Sequence, residues 1–209
     1  MPSRNTLKQF QPDAVYHVYN RGVGKMVVFL DVQDYTAFMR RLQLMLLPLH
    51  EAENIQHTEQ RIRINNYHSE VKLLAFCLMP NHFHMMLYQE AQDGITQFMR
   101  TLSTSYSMYF NRKYHRVGPV FQGRFKALHV DSDTYLTHLS RYIHCNPIAL
   151  DQDTFAYSYS SLQYYFSQAM PHWLDPSLVT EQFANAGEYK RFVQDLKDIQ
   201  RAEERYTLD

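Results

Sequence analysis

Val71–Glu90, VKLLAFCLMPNHFHMMLYQE, is the stretch on which the fold turns. Two apolar runs of strand length, Leu73–Leu78 and Phe83–Leu87, flank a Pro80-Asn81 pair. Such runs separated by a turn signal read as a buried β-hairpin. Alternate residues of a strand share a face. His82, His84, Met86 and Tyr88 therefore point one way, while Phe83, Met85 and Leu87 point the other and anchor the strand to a core. Two imidazoles stand side by side on a rigid floor. With 11 His in the chain, a chance His-x-His is no surprise. The spacing alone leaves two readings open: an exposed pair on a polar sheet face, or a pair whose desolvation is offset by a bound divalent cation.

Upstream, AVYHVYN (residues 14–20) alternates loosely, is rich in Val and Tyr, and breaks at Arg21-Gly22, which predicts a first strand and turn. Val27–Leu30 is expected to continue as a short strand. Asp31 or Asp34 then caps a helix over about Tyr35–Leu49, with Phe38, Leu42, Met45 and Leu49 on one face. The polar stretch His50–Ser69 reads as a mobile connection or an extended hairpin arm. Downstream, Ile95, Phe98, Met99, Leu102, Tyr106, Tyr109 and Phe110 trace the core stripe of a helix over about Ile95–Tyr114. Lys126–Val130 is expected as a returning strand. Thr134–Asn146 forms a helix, capped at Asp131, Ser132 or Asp133 and stopped by Pro147. Four-residue spacing on that helix aligns His138, Tyr142 and Asn146 in one row. In a chain with 16 tyrosines such a row is either incidental or a working constellation.

The chain has 209 residues, 45% hydrophobic and 20% charged. This balance excludes a largely disordered protein and suits one core with an appendage. No run is long enough to span a bilayer, and MPSRNTLKQF lacks the apolar segment of a signal peptide, so the expected compartment is the cytoplasm and no membrane partner is expected. Cys77 and Cys145 have no Cys-x-x-Cys spacing and read as buried thiols. Formal net charge is zero, yet no acidic residue lies between Asp93 and Asp131. That window holds Arg100, Arg112, Lys113, Arg116, Arg124 and Lys126 with His115 and His129. It is either a solvated basic face or a surface for phosphates. Within it, Gly118–Lys126 interleaves glycines and a proline with aromatics and cations, an ordered loop able to stack a base.

Taken together, Tyr16-His17-Val18 with Asn20-Arg21-Gly22, Met79-Pro80-Asn81-His82-Phe83-His84, Gly118–Phe125 and Tyr142-Ile143-x-x-Asn146-Pro147 resemble the single-tyrosine HUH transposases. Their order and spacing are most similar to the branch called REP-associated tyrosine transposases. The likeness runs from about residue 14 to 150, and SYSSLQYY and HWLDPSLV look like the tail many members of that branch carry. The resemblance implies an α+β protein: a ferredoxin-like antiparallel sheet with helices on one side, in a catalytic domain at 1–150, followed by a C-terminal helical extension at 151–209. It implies that His82, His84 and Asn146 hold a divalent ion, Mg2+ or Mn2+, and that Tyr142 is the nucleophile, with His138 a proton handler or phosphate contact. The function implied is metal-dependent nicking and joining of single-stranded or hairpin DNA through a 5′-phosphotyrosine. For DNA contacts the candidates are Arg21, Arg112, Lys113, Arg116, Phe121, Gln122, Arg124 and Lys126, in a monomer or homodimer. Two alternatives are a non-catalytic nucleic-acid binder of the same fold and a metal-dependent hydrolase using activated water. A covalent DNA adduct separates both from the tyrosine mechanism.

Overall fold

The computed structural model describes residues 10–59 and 65–195. Four strands, β1 (Ala14–Arg21), β2 (Val71–Met79), β3 (His82–Gln89) and β4 (Lys126–Val130), form one antiparallel sheet in the order β2-β3-β1-β4. Helix α1 (Val32–Leu46) lies between β1 and β2, and, after a second helix α2 (Leu49–Glu59), helix α3 (Gly94–Lys113) lies between β3 and β4. This is the ferredoxin-like βαββαβ arrangement. Its two central strands are β1 and β3, so both histidines of the hairpin sit in the middle of the sheet.

The alternation expected for β3 holds. Phe83, Met85 and Leu87, with Tyr16 and Val18 of β1, pack against Phe38, Leu42 and Met45 of α1 and Phe98, Leu102 and Tyr106 of α3. Met86, with Ala75, Cys77 and Met79 of β2, packs instead against Leu139, Tyr142 and Ile143 of the next helix, α4 (Asp133–Cys145). Helices therefore cover both faces of the sheet rather than one. The reason is legible in β2, whose near-continuous apolar run is buried along almost its full length, the signature of a strand covered on both sides.

Three boundaries differ from expectation. Helix α1 starts at Val32, capped by Asp31 Oδ1 accepting from the Asp34 amide at 3.1 Å. It ends early because Leu47 precedes Pro48 and is held extended at φ −67°, ψ 151°. Val27–Leu30 is not a strand: the Val28 and Phe29 amides both donate to the Pro80 carbonyl, at 2.8 and 3.0 Å, bracing the β2–β3 turn. The polar stretch after Leu49 is helical up to Glu59. Ala52, 1% exposed, anchors it, and its composition is that of a linker although its backbone is not. Residues 60–64 of that stretch lie outside the described residues.

Helix α4 opens on Ser132, whose hydroxyl accepts from the Tyr135 amide at 3.3 Å. Pro147 tightens the helix into a 3-10 turn, Asn146–Leu150, instead of breaking it. Proline is tolerated in a first turn, where its missing N–H has no partner to lose. Asn146 keeps helical angles, φ −49° and ψ −36°, and so stays one turn beyond Tyr142.

The segment after residue 150 satisfies the outer edge of β2, which would otherwise present unpaired backbone. The Leu78 amide donates to the Tyr159 carbonyl (2.9 Å), the Phe76 amide to Ser161 Oγ (2.8 Å), and the Tyr157 and Tyr165 hydroxyls to the Leu78 and Leu74 carbonyls, both at 2.7 Å. Two short helices, α5 (Ser177–Thr180) and α6 (Ala186–Gln194), complete the described chain. Residues 196–209 of the expected extension lie outside it.

His144, fully buried on α4, ties these parts together through hydrogen bonds with Tyr189 Oη of α6 and Ser161 Oγ, each 2.7 Å. Burial lowers its pKa from 6.5 to about 3. The unfolded chain takes up a proton below pH 6.5 that the folded chain refuses. His144 therefore lends its full support above pH 6.5 and loses it as pH falls toward 3, by up to about 1.4 kcal/mol per pH unit. Urea midpoints followed from pH 7.5 to 4.5 are expected to fall less steeply in His144→Gln than in the wild type.

Candidate active site

The site forms where β3, the centre of β1 and the last two turns of α4 meet. His82 and His84 stand on the α4 face with ring centroids 5.1 Å apart and planes at 88°. The Tyr142 ring meets His84 edge-on at 5.4 Å, planes at 83°. Asn146 Nδ2 donates to the Tyr142 carbonyl at 2.8 Å, and the side chain hydrogen-bonds His82. The four residues that sequence separates by some sixty positions are thus in one cluster.

Each imidazole has its proton placed by a neighbour. His82 Nδ1 lies 2.7 Å from Asn81 Oδ1. An amide oxygen only accepts, so Nδ1 donates and Nε2 carries the lone pair of the neutral ring. His84 is fully buried; its Nδ1 is 2.9 Å from His17 Nε2, and its Nε2 has no hydrogen-bond partner among the described residues. Burial lowers the pKa of His82 to about 4 and that of His84 well below 6.5. Both rings are neutral at pH 7, the form that binds a metal.

Those features fit a divalent ion. A buried nitrogen without a partner, a second imidazole beside Asn146 and the Asn146 amide itself are three groups of the right kind. The set contains no carboxylate, and among the described residues no group of three or more His, Cys, Asp or Glu side chains is arranged around one point. Two imidazole nitrogens suit Mn2+ better than the harder Mg2+.

Residues 49–146, from the start of α2 to Asn146, match the family model described as transposase, IS200 like. Over that stretch, just under half of the chain, the sequence is similar to IS200-like transposases. The matched stretch contains His82, His84, Tyr142 and Asn146. A structure of the REP-associated tyrosine transposase bound to a REP hairpin superposes with a TM-score of 0.55 at 12% identity, covering 79% of this chain and 87% of that one, so the two share a fold. A Deinococcus radiodurans R1 protein whose name assigns it as a transposase (TM-score 0.38, 16% identity, 66% of this chain and 95% of that one) superposes less closely. So does tRNA(His) guanylyltransferase from Saccharomyces cerevisiae (TM-score 0.39, 7% identity, 92% and 81%). No curated protein matches the sequence. Among the described residues no helix is long and apolar enough to cross a membrane.

The basic candidates fall into two groups. Arg21 pairs in register with His82, and its charge is one cause lowering the His82 pKa. Arg21 Nε donates to Gln122 Oε1 at 2.7 Å and the Gln122 amide to the Arg21 carbonyl at 2.8 Å. Gly22, next in the chain, permits this turn: a Cβ there would lie 2.1 Å from the Met26 carbonyl oxygen. Arg124 is exposed on the same loop, and the Lys126 ammonium lies 5.8 Å over the ring of Tyr19, itself 5.7 Å from His84. Arg21, Gln122 and Lys126 thus lie beside the histidine face.

Lys113, Arg112, Arg116 and Phe121 do not. Lys113 is held by Asp31 and Asp34 at 2.7 and 2.8 Å, in the α1–α3 layer on the opposite face of the sheet. Desolvation works against its charge, but hydrogen bonds to both aspartates raise its pKa, so it is committed to an ion pair rather than to DNA. Arg112 lines a groove between α1 and α3, again away from the histidines. Arg116 lies 5.6 Å over the Phe110 ring of α3. Phe121, expected to stack a base, is 5% exposed and packs on Phe83 and Tyr106 at 5.6 and 6.0 Å. Phe121→Ala is therefore expected to destabilise the fold by about 3–5 kcal/mol in urea denaturation, with DNA affinity of the folded protein unchanged.

His138 sits one turn before Tyr142, where its Nδ1 accepts from Arg141 Nη2 at 2.9 Å and its ring meets Phe192 of α6. These contacts turn it toward the C-terminal helix. Two residues near the site carry no role in the sequence reading, Asn81 and His17. The Pro-Asn turn signal concealed the first. For His17, strand alternation could place it with Val15 and Tyr19, but only the β1–β3 register brings it against His84.

Proposed function

We propose that this protein is an IS200-like transposase, a metal-dependent endonuclease and strand transferase for single-stranded DNA, acting through a 5′-phosphotyrosine on Tyr142. The observation that carries the reading is the meeting of the Tyr142 ring with His84, beside an Asn146 that bridges Tyr142 to His82. A phenol with an ordinary pKa of about 10 is a weak nucleophile at pH 7. When bound, a divalent ion supplies polarisation of a non-bridging phosphate oxygen and stabilises the charge that develops there.

The chain's own residues do the rest. His82, His84 and Asn146 are neutral donors, so they leave an ion's charge undiminished for the phosphate. The α4 helix holds Tyr142 and Asn146 one turn apart, which fixes the direction of attack relative to the donors. The Tyr142 oxygen forms the new bond to phosphorus, the bond to the 3′ oxygen breaks, and the phenolic proton ends on the departing 3′-OH through solvent. Because one phosphodiester replaces another, a second 3′-OH can reverse the step and join strands without an external energy source.

A strand must be unstacked for its backbone to reach a tyrosine in a sheet-floored recess, which favours single-stranded DNA. The shared fold with a transposase bound to a REP hairpin supports a hairpin or palindrome next to that strand as the recognised element. Incubation of the protein and Mn2+ with a labelled hairpin bearing a single-stranded flank, followed by denaturation, is expected to give a covalent protein–DNA adduct. Nicking without an adduct would favour an activated-water hydrolase, and hairpin binding without nicking a non-catalytic binder. Arg21 is assigned to the backbone beside the scissile phosphate. Arg21→Ala is expected to weaken binding of all strands alike and reduce the salt dependence of binding by about one counterion, read by fluorescence anisotropy across a salt series.

A further inference from the structure

We propose that His17 is the positioning residue for His84: its Nε2 accepts the Nδ1–H of His84 across the β1–β3 pair and so selects the tautomer in which His84 Nε2 presents a lone pair to the site. The inference rests on the metal-site reading of His82 and His84 given above.

The two nitrogens are 2.9 Å apart, both rings are fully buried, and the rings stack at 5.1 Å with planes 22° apart. Only one proton fits between them. If His84 Nδ1 donates it, His84 Nε2 is a bare lone pair. If His17 Nε2 donates it, His84 must carry its own proton on Nε2, a buried donor with no acceptor among the described residues. The first arrangement in turn puts a proton on the buried His17 Nδ1, so burial does not choose between them; they differ in which nitrogen turns a lone pair toward His82 and Asn146. The first leaves a ligand atom awaiting a partner of the kind a divalent ion provides. Doubly protonating the pair is opposed by the complete burial of both rings.

The surroundings hold His17 to this task. Tyr19 on its own strand lies 4.8 Å away in a tilted contact and Tyr142 meets it edge-on at 6.1 Å, so its ring is packed on more than one side. A ligating histidine usually hands its second N–H to a carboxylate, a backbone carbonyl or a water. An imidazole acceptor does the same orienting without adding negative charge. The charge of a bound ion then stays available to an anionic phosphate.

Nitrogen-15 NMR of histidine-labelled, metal-free full-length protein tests the tautomer directly. The wild type is expected to show His84 protonated at Nδ1 and bare at Nε2. His17→Phe is expected to lose that preference and to bind Mn2+ about 10–100-fold more weakly, measured by electron paramagnetic resonance without DNA. His17→Gln, whose amide oxygen can reach the same position as an acceptor, is expected to restore the tautomer and most of the affinity, and it stands in for the phenylalanine variant should that fail to fold. A wild-type His84 protonated at Nε2, or a folded His17→Phe with unchanged tautomer and Mn2+ affinity, overturns the proposal. Failure of the underlying metal reading has a separate signature: His84→Ala would bind Mn2+ as tightly as the wild type.

Discussion

Tyr142→Phe is expected to abolish strand cleavage, by roughly 10⁴-fold or more for loss of a covalent nucleophile, and to leave no adduct after denaturation. The substitution isolates the hydroxyl. Tyr142 is 8% exposed, and its ring supports α4 against Met86, Leu139 and Ile143 and against the edges of His17 and His84; phenylalanine keeps those contacts. Hairpin binding is therefore expected to remain within about twofold, since the proposed phosphate contacts, which dominate affinity, come from Arg21 and Gln122. The measurement pairs a denaturing gel of labelled DNA with anisotropy on the same preparation. Wild-type cleavage by the variant would remove Tyr142 from the chemistry. The two tyrosines next in spacing could not replace it, because Tyr106 donates to the Val28 carbonyl and Tyr109 to Asp34, both in the α1–α3 layer beyond the sheet.

His84→Ala carries the second large effect. On the proposed function, losing the His84 nitrogen would remove the ion's contribution to the phosphate's developing charge, several kcal/mol, so Mn2+-dependent nicking is expected to fall roughly 10³-fold. Raising Mn2+ should recover little, because the missing ligand is the one that is fully buried. Mn2+ affinity, measured directly, separates this from a folding defect. On the proposed metal site the histidines would also set the pH range. Burial holds the pKa of His82 near 4 and that of His84 well below 6.5, so protons do not compete for the donor nitrogens until pH falls far below the range of a free imidazole. Wild-type Mn2+ affinity is accordingly expected to stay level as pH drops through 6.5, where a solvent-exposed histidine pair would already be losing it. A decline centred at 6.5 would show that the rings are not desolvated as described.

Much of this architecture was legible in one dimension because its signals are periodic. The β2–β3 hairpin, the core stripe of α3 and the strand Lys126–Val130 follow from alternation or three- and four-residue spacing, and each lies within a residue or two of its expected bounds. The misreadings occurred where periodicity is silent. Helix α2 is polar in sequence, LHEAENIQHTE, so nothing in its composition separates it from a linker. Val27–Leu30 is apolar and strand-like, yet its amides serve the Pro80 carbonyl. Pro147 looked like a helix stop and is a tightened continuation, which keeps Asn146 in line with Tyr142.

Side-chain partnership was less legible than backbone. Lys113 and Phe121 read as a DNA cation and a stacking platform because a basic, aromatic loop invites that reading. Whether a lysine faces solvent or an aspartate on another helix depends on how α1 and α3 pack, and whether a phenylalanine is a platform or a core residue depends on what covers it. The sequence by itself determined the period of each element, the two histidines on one face of β3, and the row of Tyr142 and Asn146 on α4, because these are properties of a single strand or helix. Only the tertiary structure decided that α4 lies on the histidine face rather than beside α1 and α3, that Arg21 pairs with His82, and that His17 meets His84. Those are distances between segments far apart in the chain, set by strand register and by which apolar stripe finds which face of the sheet.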